Sequence, residues 1–130
     1  MLSNINFNIK GQTMNKLLKQ IDKIYSEIDE QGKLSWEDVF KINLTNLEKK
    51  ILSKYEWDLP DTIANGLWCS FDWGEKDLLE DVNRERGALS SLTQKGIIEW
   101  GMEGWMLQEL GIRCLMLLCL EKGTLEKHIR

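Results

Sequence analysis

Residues 97 to 108, IIEWGMEGWMLQ, place two short apolar and aromatic runs on either side of a turn carrying Gly101 and Gly104, which predicts a β-hairpin. From Met14 onward most other apolar residues recur at intervals of three and four, the spacing that makes one stripe along a helix. The expected fold class is therefore mainly α with a small β-hairpin wing. A length of 130 residues suffices for one hydrophobic core and falls short of two ordinary domains.

Residues 1–12 read as an N-terminal strand or arm, because Asn4 to Ile9 alternates polar and apolar positions and Gly11 ends the run. Met14 opens a strong helical pattern, so a start at Met1 and a start at Met14 both stay open. Residues 13–43 read as an N-terminal helical extension with the stripe Met14, Leu17, Leu18, Ile21, Ile24, Tyr25 and Ile28. The subset Met14, Leu17, Ile21, Ile24 and Ile28 also fits a heptad seam, so this helix either packs on the chain's own core or joins a homodimer. Within the extension, SWED at Ser35 offers a capping pattern for a short helix through Trp36, Val39 and Phe40.

Residues 44–123 form the main domain. Its first helix is capped by Thr45 with Glu48 answering, and Leu44, Leu47, Ile51, Leu52 and Tyr55 make the buried stripe. Pro60 between two aspartates predicts a turn. EKDLLEDV predicts a short acidic helix capped by Asp72, with Leu78, Leu79 and Val82 turned inward. The next helix, from about Asn83 to Lys95, ends at Gly96. Beyond the hairpin, ELGIRCLMLLCLEKG predicts a closing helix buried round most of its circumference, and residues 124–130 read as a frayed tail.

Cys69, Cys114 and Cys119 are odd in number, which argues against a disulfide framework and for a reducing, cytoplasmic setting. The apolar run IRCLMLLCL is far shorter than the roughly 20 residues of a membrane span, and Arg113 interrupts it. No enzymatic chemistry is legible. The single histidine, His128, sits in the expected tail, and Cys114 and Cys119 lie in an apolar helix, so neither a nucleophile pair nor a metal site is expected. A Gly-rich phosphate loop is missing as well, and no cofactor is expected.

The order helix, short helix, helix, hairpin, helix over residues 44–120, together with RGALSSLTQKGIIEW and WMLQELGIRCL, resembles the winged helix-turn-helix domains of bacterial and phage regulators. In that family a helix ending SSL, two residues, then KG and an apolar strand recurs; Gln108 stands here where the family often has Thr. The resemblance implies sequence-specific binding of double-stranded DNA by a small transcriptional regulator of a phage, bacterium or mobile element. The helix from Asn83 would enter the major groove, with the GMEG tip near the backbone or minor groove.

Helical geometry at 100° per residue supports an outer face on that helix. Val82, Leu89, Leu92 and Gly96 fall on one side, while Asn83, Arg84, Gly87, Ser90, Ser91, Gln94 and Lys95 fall opposite, with no acid among them and Glu85 rotated toward the core margin. Arg84 suits guanine or a phosphate, Ser90 and Ser91 suit phosphate, Gln94 suits adenine, and Arg86 and Lys95 suit the backbone. Gly87 costs a helix about 0.5–1 kcal/mol relative to Ala, a loss that close backbone approach would explain. Lys16, Lys19 and Lys23 are candidate phosphate contacts.

Charge opposes this reading. From Glu56 to Asp81 eight acids face one base, Lys76, in a chain of net charge -4, and phosphate would be repelled there. The alternative is an acidic winged-helix protein-interaction module, such as a phage-encoded inhibitor, that meets a basic protein partner through Asp72, Glu75, Asp77, Glu80 and Asp81. The six tryptophans serve either as core or as anchors of such a surface.

Overall fold

The computed structural model describes residues 16–23, 34–66 and 68–129. They are mainly helical with one small antiparallel hairpin, the expected class. Residues 16–23 form helix α1. Next come α2 (Trp36–Phe40), α3 (Asn46–Ser53), a 3-10 helix (Lys54–Asp58), α4 (Leu59–Ala64), α5 (Glu75–Leu78), α6 (Val82–Gln94), β1 (Ile98–Trp100), β2 (Trp105–Leu107), α7 (Glu109–Lys122) and a 3-10 turn (Glu126–His128). The expected arm at 1–12, and Met14, Ile24, Tyr25 and Ile28 of the stripe, lie outside the described residues. Leu17, Leu18 and Ile21 are buried in the chain's own core.

The expected caps are present at α2 and α3. Ser35 accepts from the Asp38 N–H, and Thr45 and Glu48 form a reciprocal capping box at 3.1 and 2.8 Å. Pro60 does not make an isolated turn: it occupies the first turn of α4, where its fixed φ suits the helix and its missing N–H is not needed.

The acidic helix is shorter than expected, and Asp72 is not its cap. Gly74 holds that position, with the Asp77 carboxylate accepting from the Gly74 N–H. After Leu78 the backbone becomes extended at Leu79, and the N–H groups of Glu80 and Asp81 donate to Glu85 Oε1 at 2.8 and 3.2 Å. A side chain thus satisfies donors that helix carbonyls would otherwise take. The break lets the consecutive Leu78 and Leu79 both point inward, and Asp81 starts α6 by accepting from the Arg84 N–H.

β1 and β2 pair in the register Ile98↔Leu107 and Trp100↔Trp105. The indoles of Trp100 and Trp105 meet edge to face across the hairpin, centroids 5.1 Å apart. The loop before α5 runs along the other side of β2. Trp73 and Trp105 exchange backbone bonds, and Ser70 bonds Leu107 through its N–H and its hydroxyl. Tyr55, fully buried, donates from its hydroxyl to the Trp105 carbonyl at 2.7 Å and so fastens the hairpin to the helical layer.

Through the centre runs α7, whose residues 111–119 are all buried. Gly111 is where the helix crosses the Ile97 carbonyl at a separation that leaves no room for a Cβ. Arg113 is only 3% exposed, its guanidinium held between the Trp36 and Trp68 rings and bonded to Glu109 at 2.9 Å and Asp22 at 3.4 Å. This desolvated cation, stacked on two π faces and paired with two carboxylates, ties α1 and α2 to α7. Gly123, at φ +79°, ends α7 in the left-handed region. The C-terminal segment is docked instead of frayed: the Thr124 and Leu125 N–H groups bond the Cys119 carbonyl, and Leu125 is fully buried.

Candidate nucleic-acid interface

α6 lies between α3 and the hairpin and turns Leu89 and Leu92 into the core. Its opposite side is open: Asn83, Arg84, Arg86, Gly87, Ser90, Thr93 and Gln94 are exposed. The one carboxylate on the helix, Glu85, is 5% exposed and faces inward, where the N–H groups of Asp81 and Glu80 and the Lys50 ammonium hold it below the usual carboxylate range. The outer side therefore carries no acid of its own. Nothing lies within 4 Å of the place a Cβ on Gly87 would occupy, so its backbone is open to approach.

The expected basic and hydroxyl contacts divide into two groups. Arg84 makes no ion pair among the described residues, and Asn83, Ser90 and Gln94 stand beside it on the open side. Ser91 and Lys95 are turned toward α3. The Ser91 hydroxyl donates to Glu48 Oε2 at 2.7 Å, and Lys95 Nζ donates to Glu48 Oε1 at 2.7 Å and to the Asn43 carbonyl at 2.8 Å. Arg86 leans the other way and meets Glu75 at 3.3 Å, with both side chains partly exposed. Between α5, α6 and β2 a shallow cleft is lined by Glu75, Arg86, Ser90, Thr93, Gln94 and Trp105. Lys16, Lys19 and Lys23 are exposed on α1.

Each of the five acids named from the sequence has a local role. Asp72 Oδ2 accepts from the Glu103 N–H and braces the hairpin turn. Asp77 and Asp81 sit at helix starts, and Glu75 pairs with Arg86. Glu80 bridges Lys50 at 2.8 Å and Lys54 at 3.4 Å, and these two ammonium groups lower its pKa. Much of the acidic run is thus taken up by caps and ion pairs, which counting charges along the chain could not show.

Two arrangements bring together residues that lie far apart in the sequence. One is an aromatic row: Trp57 meets Trp73 edge to face at 6.4 Å, Trp73 is bridged to Trp105, and Trp105 meets Trp100. Trp57 is 81% exposed, and Phe71, Trp100 and Met102 are also open to solvent. The other is the meeting of Glu56, Cys119 and His128 at the C-terminal turn. The chain matches no protein-family model, no curated protein and no solved structure. No helix among the described residues is long and apolar enough to cross a membrane.

Proposed function

We propose that this protein is a small winged-helix DNA-binding protein that reads duplex DNA through α6 and acts as a transcriptional regulator in the cytoplasm. The observation carrying this reading is the inward turn of Glu85, which leaves a thirteen-residue helix with an open side of Asn83, Arg84, Arg86, Gly87, Ser90 and Gln94 and no carboxylate. Arg84 and Gln94 have the donors and acceptors that major-groove base edges require. Gly87 lets the backbone approach. Arg86 exchanges its half-exposed carboxylate partner for phosphate, since such surface pairs are worth little. Lys16, Lys19 and Lys23 add backbone contacts.

Salt dependence follows the phosphates neutralised, here by Arg86, Lys16, Lys19 and Lys23, so affinity falls as salt rises, while the net charge of -4 disfavours indiscriminate binding. The test is selection of duplexes from a random library by the full-length protein, followed by gel shifts of Arg84→Ala and Gln94→Ala. Each substitution is expected to weaken the selected site by about 5-fold to 150-fold, the range of a lost bidentate base contact. A library that emerges unenriched refutes the reading.

The second reading is favoured by the exposed aromatic row, which marks a protein-contact surface edged by Asp72 and Glu103 and suited to a basic partner. Trp57→Ala with Trp100→Ala separates the two readings. It abolishes capture of a basic partner and leaves duplex retention intact if α6 is the DNA site.

A further inference from the structure

We propose that Glu56, Cys119 and His128 form a binding site for a zinc-class divalent cation that clamps the C-terminal turn onto the 3-10 helix after α3. One ligand atom from each, a carboxylate oxygen, the thiol sulfur and an imidazole nitrogen, lie within 4.8 Å of one another. They arrive from three separate segments, so the sequence gives no spacing motif. Gly123 in the left-handed region reverses the chain, the Thr124 and Leu125 N–H groups wrap the Cys119 carbonyl, and burial of Leu125 brings the last turn back. That turn delivers His128 Nε2 to 2.9 Å from Glu56 Oε2.

The donor set is the one zinc takes: thiolate, imidazole and carboxylate at about 2.3, 2.0–2.1 and 2.0–2.2 Å in a tetrahedral shell. Ligand edges in such a shell run to roughly 3.3 Å or more for those bond lengths, so the His128–Glu56 contact opens by only a few tenths of an ångström to admit the ion. Lys122 Nζ donates to the other Glu56 oxygen, Oε1, at 2.8 Å and stays there as the partner that orients the ligating carboxylate. His128 is partly open to solvent, which leaves the fourth position to water.

Cys119 is fully buried, so a thiolate there needs a cation beside it. Binding displaces the thiol proton, and the imidazole proton where the ring is charged, to solvent. One negative sulfur and one carboxylate then neutralise the two charges of the ion.

The cysteines and the histidine are few enough for a clean test. The full-length protein, kept reduced, is titrated with Zn2+ in competition with a chromophoric chelator, and with Co2+ under anaerobic conditions. Expected is a single ion per chain, a thiolate-to-cobalt charge-transfer band with tetrahedral visible bands, and a higher melting temperature with zinc. Cys119→Ser removes the charge-transfer band, and His128→Ala, with its fold checked by circular dichroism, weakens zinc at least tenfold, the scale on which even outer partners act. Cys69→Ser, at an exposed site, leaves both signals unchanged. Zinc affinity that is absent, that survives His128→Ala, or that disappears with Cys69→Ser overturns the proposal.

Discussion

Lys95 Nζ lies 2.7 Å from Glu48 Oε1, so the last turn of α6 is bonded to the residue that caps the first turn of α3. Burial alone would raise the Glu48 carboxyl, but Lys95, the Thr45 N–H and the Ser91 hydroxyl together hold it below its ordinary value of 4.5. Lys95→Ala is therefore expected to cost about 1–3 kcal/mol in urea denaturation, because it strips a buried carboxylate of a charged donor. Its effect on DNA should be secondary to this loss. An unchanged denaturation midpoint would contradict the assignment of Lys95 to the helix junction.

Gly87 and Gly111 predict opposite outcomes for the same substitution. Gly87→Ala meets open space on an exposed helix and should raise stability by about 0.5–1 kcal/mol. If α6 lies in a groove, the same methyl weakens duplex binding while the fold gains, a divergence that a purely structural role for Gly87 would not produce. Calorimetry and gel shifts on one preparation measure both.

Gly111→Ala places a methyl against the Ile97 carbonyl, the Ile97 side chain and Leu107 inside the core. Overpacking of this kind costs about 1–3 kcal/mol, and backbone on one side limits relaxation. Equal thermal midpoints for the variant and the parent chain would show that α7 does not cross Ile97 and β2 at the separation described.

Acid should weaken the fold through Glu56. His128, Lys122 and Thr124 outweigh the cost of burial and lower its pKa from the ordinary 4.5 to about 2. A carboxyl depressed in the folded state stabilises fully above its unfolded value, and that contribution is lost as pH falls through the folded value. Stability should thus decline from about pH 4.5 toward pH 2. Glu56→Gln flattens this limb of the profile. A variant as acid-sensitive as the parent would move the effect to other carboxylates.

Local signals were legible where a few neighbouring residues suffice. The hairpin, the Thr45–Glu48 box and the stop at Gly96 need only turn chemistry and capping bonds over a few positions. The open side of α6 was legible too, because angular spacing alone puts Glu85 inward. Illegible were the uses of charge. Arg113 in the sequence reads as an interruption of an apolar run, yet it stands between Trp36 and Trp68 as a core cation. Ser91 and Lys95 read as outward-facing because helix angle says nothing about a carboxylate reaching over from α3.

Periodicity determined that this chain would be a set of amphipathic helices around one β-hairpin, since apolar burial acts on every turn and needs no distant partner to be specified. Long-range pairing decided the rest. Which acids pair with distant bases, and which gather with Cys119 and His128, depends on contacts between residues far apart in the chain, as in Lys54–Glu80 across 26 positions and Arg113–Asp22 across 91. Electrostatic energy depends on distance and burial in three dimensions, and neither quantity is written in the order of the residues.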